Sequence, residues 1–431
     1  MKEEFLHFLW KHKLYDQQAM CTQSGKTLQV ISPGFQNNDA GPDFTNARII
    51  IDETVWVGNV EIHLKASDWK RHRHHEDKAY DSVILHVVAE DDLAVQSTEG
   101  EAIETFCMSY SPILANNYRS LLQNDQSIRC ERKIKLLPSI NIQFWLNRLI
   151  VERLEQKTEL IKTDLERSTN NWNEVFYWFL AKSFGFKVNA LPFELLAKAL
   201  PLKILAKHQE NIFQLEALLF GTAGLLHHPK VASDDYLEKL RKEYAFLQQK
   251  YQLKPLQAHL WKFARMRPLS FPTVRLAQFA KLIHQSYALF SKVIEIDDLI
   301  ILRKLLAVQT SDYWETHFQF GNASARHIKN LGVNSINGLL INTIVPFLFV
   351  YGMAQDDDKL KERAMRFLEE LPAEQNSIIS DWSLAGIAPS SALQSQALLQ
   401  LHKVYCLPKR CLQCAIGTGI VLKNNNAQEA T

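Results

Sequence analysis

Glu61, His63 and Lys65 occupy alternate positions of GNVEIHLKASDW, residues 58–69. Side chains alternate across a strand, so a strand here sends an acid, an imidazole and an amine from one face at intervals of about 7 Å. The even positions Trp56, Gly58, Val60, Ile62 and Leu64 then form its packing face. Upstream, Gly41-Pro42-Asp43-Phe44 places a second acid at a turn leading into ARIII, residues 47–51. Pairing of that run with residues 55–64 brings Asp43 and Glu61 to the same end of a sheet. Two carboxylates so placed hold a hard divalent cation, Mg2+ or Mn2+, which takes oxygen ligands and keeps waters free for a phosphate. His63 or Lys65 then serves the metal-bound water, and the chemistry is phosphodiester hydrolysis. The plainer alternative is an exposed Glu61–Lys65 pair of little energetic weight.

The strand is followed by Asp68-Trp69-Lys70-Arg71-His72-Arg73-His74-His75-Glu76-Asp77. Lys70, Arg71 and Arg73 suit phosphate contacts, and Trp69 suits stacking on a base, which makes nucleic acid the expected partner. A second reading gathers His63, His72, His74 and Asp77 into a zinc or manganese site. A third leaves the run as a solvated loop with His86 as a core histidine.

Near the C-terminus, His402, Cys406, Cys411 and Cys414 offer four soft ligands within thirteen residues. The Cys411-x2-Cys414 spacing lets two thiolates reach one metal, and the set selects Zn2+ or an iron–sulfur cluster over magnesium. Cys130 is an alternative fourth ligand. A redox dithiol and unligated thiols stay open as well.

The elements that must position these groups fall into two patterns. Up to about residue 110 the order reads α, β, β, β, short α, β, β, with strands at 27–31, 47–51, 55–64, 82–89 and 102–108. From about residue 140, apolar residues recur at three- and four-residue spacing, the mark of helices. The expected fold class is α+β: a small mixed-sheet domain over 1–125 and a larger all-α domain over 126–431. With 49 Lys+Arg against 47 Asp+Glu, the net charge of +2 does not announce a polyanionic partner, so any basic site is local. MKEEFLHFLWKHKLYD reads as an amphipathic helix and not a signal peptide, and a cytoplasmic location follows as the expectation. Residues 336–354 hold Asn337, Asn342, Thr343 and Pro346 within an apolar run, which suits a buried core helix and no membrane partner.

Pro42-Asp43, followed by a strand-borne Glu61 with a basic residue two positions on, resembles the PD-(D/E)XK nuclease superfamily. The resemblance implies a restriction-endonuclease-like fold for roughly the first 110 residues, with Asp43 and Glu61 as magnesium ligands. His63 stands where that superfamily places its lysine and Lys65 lies one strand repeat further, so either His63 replaces the lysine or the lysine has migrated. Nearly the whole chain also resembles an uncharacterised family of Bacteroidetes, DUF2851, through NNDAGPDFTNARI, WVGNVEIHLKASDWKRHRHHEDKAYDSVILHVV and YCLPKRCLQCAIG. That family implies no activity. The expected function is a metal-dependent nuclease; the alternatives are a non-catalytic scaffold on a degenerate nuclease fold and a histidine-centred zinc metalloenzyme.

Overall fold

The computed structural model describes residues 2–37, 39–227, 233–286 and 288–423. The chain forms two compact units: residues 1–146 with 377–388 and 399–431, and residues 147–376 with 389–398. The expected boundary at 125 thus moves to 146, and the C-terminal cysteines group with the sheet and not with the helices. The reason is local: Asn117 Nδ2 donates to the carbonyls of Val421 and Lys423 at 3.3 and 3.0 Å, tying the chain end to the helix after the sheet.

The first unit opens with helix α1 (Glu3–Lys11), which buries Phe5, Leu6, Phe8, Leu9 and Trp10. A mixed sheet follows, built from β1 (Leu28–Ser32), β2 (Phe35–Gln36), β3 (Phe44–Ile51), β4 (Thr54–Lys65), β5 (Val83–Glu90) and β6 (Thr105–Cys107). Its order is β1-β3-β4-β5-β6, with β2 paired to β3. β1, β3 and β4 run antiparallel, whereas β4, β5 and β6 run parallel. The β3–β4 hairpin closes at Asp52, which takes a left-handed φ of 53°.

A parallel pair needs a crossover, because the chain must return to its starting end. Here the crossover is the histidine run: a single helical turn α2 (Asp68–Arg71), then two 3-10 turns at His74–Glu76 and Lys78–Tyr80. Covering of β4 by this segment and by α1 changes the expected alternation. Val60, Glu61, Ile62 and His63 are all buried, while Trp56, expected on the packing face, is 46% exposed.

The second unit is helical, as its periodicity predicts, with Trp172–Phe184, Ile212–Thr222, Asp235–Tyr251 and Pro272–Gln285 among its helices. Val333–Ala354 is long and apolar enough to cross a membrane, but 72% of its apolar window is buried inside the protein, which fits a core helix. The second unit also buries an acid, Glu216 of the helix Ile212–Thr222, which accepts from Tyr236 Oη and Ser311 Oγ at 2.6 Å and from Trp314 Nε1 at 3.0 Å.

Gly58 sets the approach of β5 to β4. A Cβ there would meet Ile84 Cγ2 at 2.4 Å and the Ser82 carbonyl at 2.9 Å. Gly58→Val is therefore expected to cost about 2 kcal/mol through overpacking at this pair. Thermal melting of the full chain checks this: a fall of several degrees is expected, and an unchanged midpoint contradicts the packing described.

Candidate functional site

The site is built where β3 begins and β4 ends. Phe44 pairs with Val60, which leaves Asp43 beside Glu61. The two acids then exchange hydrogen bonds across the strands. Asp43 N donates to Glu61 Oε2 at 3.0 Å, and Ile62 N donates to Asp43 Oδ2 at 2.9 Å. Glu61 is 5% exposed, so its carboxylate depends on these amides and on its other neighbours. His7, from α1, places Nε2 3.2 Å from Asp43 Oδ2. Burial disfavours a charge on His7, but the close Asp43 carboxylate outweighs it and raises its pKa.

The other oxygen of Glu61 faces imidazoles. Oε1 lies 3.5 Å from His63 Nε2 and 3.3 Å from His74 Nε2. His63 Nε2 is in turn 3.1 Å from His72 Nδ1. One nitrogen from each of His63, His72 and His74 falls within 4.8 Å of the other two. Donors bound tetrahedrally to zinc at 2.0–2.1 Å are separated by about 3.3 Å, so the shortest spacings here match those of a ligand shell. His74 Nε2 is buried yet makes no hydrogen bond of good geometry, although it lies close to Glu61.

Local backbone produces this convergence. Arg73 adopts φ 64°, ψ 27°, a left-handed conformation between His72, which caps the helical turn Asp68–Arg71, and the 3-10 turn starting at His74. That reversal turns both rings toward β4, at a cost of about 1 kcal/mol for a residue with a Cβ. Tyr80 stacks on His74 with ring centroids 3.7 Å apart, and His86 Nε2 sits 2.9 Å from His63 Nδ1. His86 is thereby an outer partner of the kind that orients a ligating imidazole. Burial first, then the other imidazoles, pushes His63 down to about 2, and burial brings His86 to about 3. Burial also pushes the Glu61 carboxyl up, and the charge of Asp43 adds to that rise while the His74 contact opposes it.

Several expected residues lie elsewhere. Lys65 sits one strand repeat beyond His63 and spends its ammonium on Glu90, 3.0 Å away at the exposed strand end, so the structure does not bring it to the acids. Trp69 cannot stack on a base: it is fully buried and donates Nε1 to the Gln96 carbonyl at 3.0 Å. Asp77 caps the following turn through Ala79 N and does not join the histidines. Lys70, Arg71 and Arg73 are exposed beside the site, with Arg71 held 2.9 Å from Asp68. His7, distant in sequence, carried no local signal. Cys406, Cys411 and Cys414 line one small cavity together with Cys130, while His402 turns to Ser127 Oγ at 3.3 Å.

The depressed histidines make the metal-free fold acid-sensitive. Below pH 6.5, their ordinary value, the unfolded chain takes up protons that folded His63 and His86 refuse, so stability falls as pH drops from about 6.5 toward 3. The expected slope is on the order of 1 kcal/mol per pH unit for each ring. Urea midpoints measured across this range should show it, and His86→Gln should reduce it; midpoints independent of pH would contradict the burial of neutral rings.

No curated protein and no solved structure matches the chain. Residues 3–377 match the family described as "Protein of unknown function (DUF2851)", a segment that contains His7, Asp43, Glu61 and all the clustered histidines. Since the match spans most of the 431 residues, the chain belongs to the DUF2851 family.

Proposed function

We propose that the sheet unit is a metal-dependent hydrolase of phosphodiester bonds, with one transition-metal ion held by Glu61, His63, His72 and His74. The observation that carries this reading is a chain of three short donor spacings, His72–His63 at 3.1 Å, His63–Glu61 at 3.5 Å and Glu61–His74 at 3.3 Å, beside a buried carboxylate. Imidazole-rich sets suit zinc or iron, whereas magnesium and manganese prefer oxygen donors and magnesium keeps several waters. The ion expected from two carboxylates alone is therefore replaced here by a softer one that shares Glu61.

Asp43 and His7 stand beside the proposed ion as an acid–imidazole pair. In this reading Asp43 orients His7 and stabilises its charged form, which suits His7 to act as the general base and then the general acid, while the ion held by the neighbouring residues would supply an activated water. The substrate class rests on the resemblance to PD-(D/E)XK nucleases, which share an acid before one strand and an acid on the next, and on exposed Lys70, Arg71 and Arg73, which suit a phosphate backbone. His63 takes the place of the superfamily's lysine, and its role is ligation. One observation favours a purely structural ion, namely four protein donors, which close a tetrahedral shell. The exposure of His72 leaves that ligand free to yield its position to a substrate or water.

The test is hydrolysis of single- and double-stranded DNA and RNA with zinc, manganese or magnesium, beside metal analysis of the same samples. His74→Ala and Glu61→Gln should lower bound metal at least about tenfold and activity at least about a hundredfold. His7→Ala should lower activity by about a hundredfold with metal content intact, the range of one acid–base group. Lys65→Ala should stay within about twofold of wild type, consistent with its weak surface pair. Metal retained without hydrolysis supports the structural ion, and equal metal content in wild type and His74→Ala overturns the site.

A further inference from the structure

The first unit contains a second group of metal-binding side chains, independent of the histidines. Cys130, Cys406, Cys411 and Cys414 come from two segments far apart in sequence and line one cavity, with Leu121 and Gly417 on its wall. All four are free thiols, and they are half-buried or buried, whereas the remaining two cysteines, Cys21 and Cys107, are exposed. A single buried thiol packs as a small hydrophobe and needs no ligand, so the observation that asks for one is the meeting of four of them, from two distant segments, at one cavity.

The surrounding backbone is shaped for this meeting. Residues His402–Cys406 form a π-helical turn, a local irregularity found most often at functional sites, and it carries Cys406 to the cavity. Cys411 lies in a 3-10 turn, and Cys414 precedes the short helix Ala415–Val421. Backbone amides of Ile416 and Gly417 hydrogen-bond to the Cys414 sulfur, the kind of outer contact that stabilises a bound thiolate. Gly417 is required by packing, since a Cβ there would meet the Cys411 carbonyl at 2.1 Å. Cys130 is brought in from the other side by Asn124, whose Nδ2 donates to the Arg129 carbonyl at 2.8 Å, and by the Arg129 guanidinium, which donates to the Leu121 and Leu122 carbonyls.

We propose that Cys130, Cys406, Cys411 and Cys414 hold one thiolate-ligated metal centre. Soft sulfur donors select zinc or iron–sulfur chemistry, and each thiol gives up its proton on binding. The cavity between the sulfurs measures about 20 Å³, room for about one water, so its volume does not choose between one zinc and a cluster. The centre joins the segment after the sheet to the chain's C-terminal residues, so its role is to fix the C-terminal end onto the first unit.

The full chain, purified without oxygen, is analysed for iron, acid-labile sulfide and zinc, and its visible spectrum is recorded. An iron–sulfur cluster shows iron and sulfide in equal amounts with broad sulfide-to-iron absorption; zinc shows neither, and either supports the four-thiolate site. Cys130→Ser and Cys414→Ser should lose at least about tenfold of that metal, while Cys107→Ser should keep it. Metal lost on His74→Ala reports the histidine site, so the two are read separately. Wild-type protein with no metal beyond that lost on His74→Ala overturns the proposal without recourse to cysteine variants, as does unchanged content in a folded Cys130→Ser.

Discussion

The first unit depends on how a buried carboxylate is kept from being a liability. Removing Glu61 from water costs several kcal/mol unless the charge finds partners. β3 and β4 supply them by register: Asp43 N donates to Glu61, and Ile62 N donates back to Asp43. Each acid is satisfied by the other's strand, so the hairpin and the site are one structure. The remaining oxygen of Glu61 then needs a positive or donating neighbour, and the crossover delivers imidazoles to it. The proposed function rests on these imidazoles: His63 and His74 nitrogens lie 3.5 and 3.3 Å from that oxygen, and His72 lies 3.1 Å from His63.

The helical unit contains a useful contrast. Glu216 is buried still more completely, yet its three partners are two hydroxyls and an indole N–H, all able to donate without a metal. That carboxylate is satisfied by ordinary hydrogen bonds and calls for no ion. Around Glu61 Oε1 the neighbouring side chains include His63 and His74, whose nitrogens lie 3.5 and 3.3 Å away, longer than the contacts made by Glu216. The same buried charge therefore reads as structural in one unit and as a candidate functional group in the other.

Much of this arrangement was legible in the sequence because it is carried by local pattern. The alternation in β4, the turn before β3 and the βαβ crossover follow from strand period and turn residues, and they place Asp43 next to Glu61. Periodicity does not say what covers a strand. Lys65 lies in phase with His63, but the strand runs out of cover there, and Glu90 on the parallel neighbour claims it. Trp69 has the composition of a stacking residue, but a crossover must anchor itself, and Trp69 is that anchor against Val83 and Val95. His7 and Cys130 were harder still, since each reaches its partners from a distant segment. The left-handed Arg73 that turns His72 and His74 together has no signal in residue type, because arginine rarely adopts that conformation.

The central claim is that Glu61, His63, His72 and His74 form one coordination shell. A crystal structure of the full chain grown with zinc or manganese, with anomalous data at the metal edge, tests it directly. The account predicts a peak about 2.0–2.2 Å from His63 Nε2, His72 Nδ1, His74 Nε2 and Glu61 Oε1. Three rings hydrogen-bonded to one another around Glu61, with no anomalous peak among them at saturating metal, would contradict it.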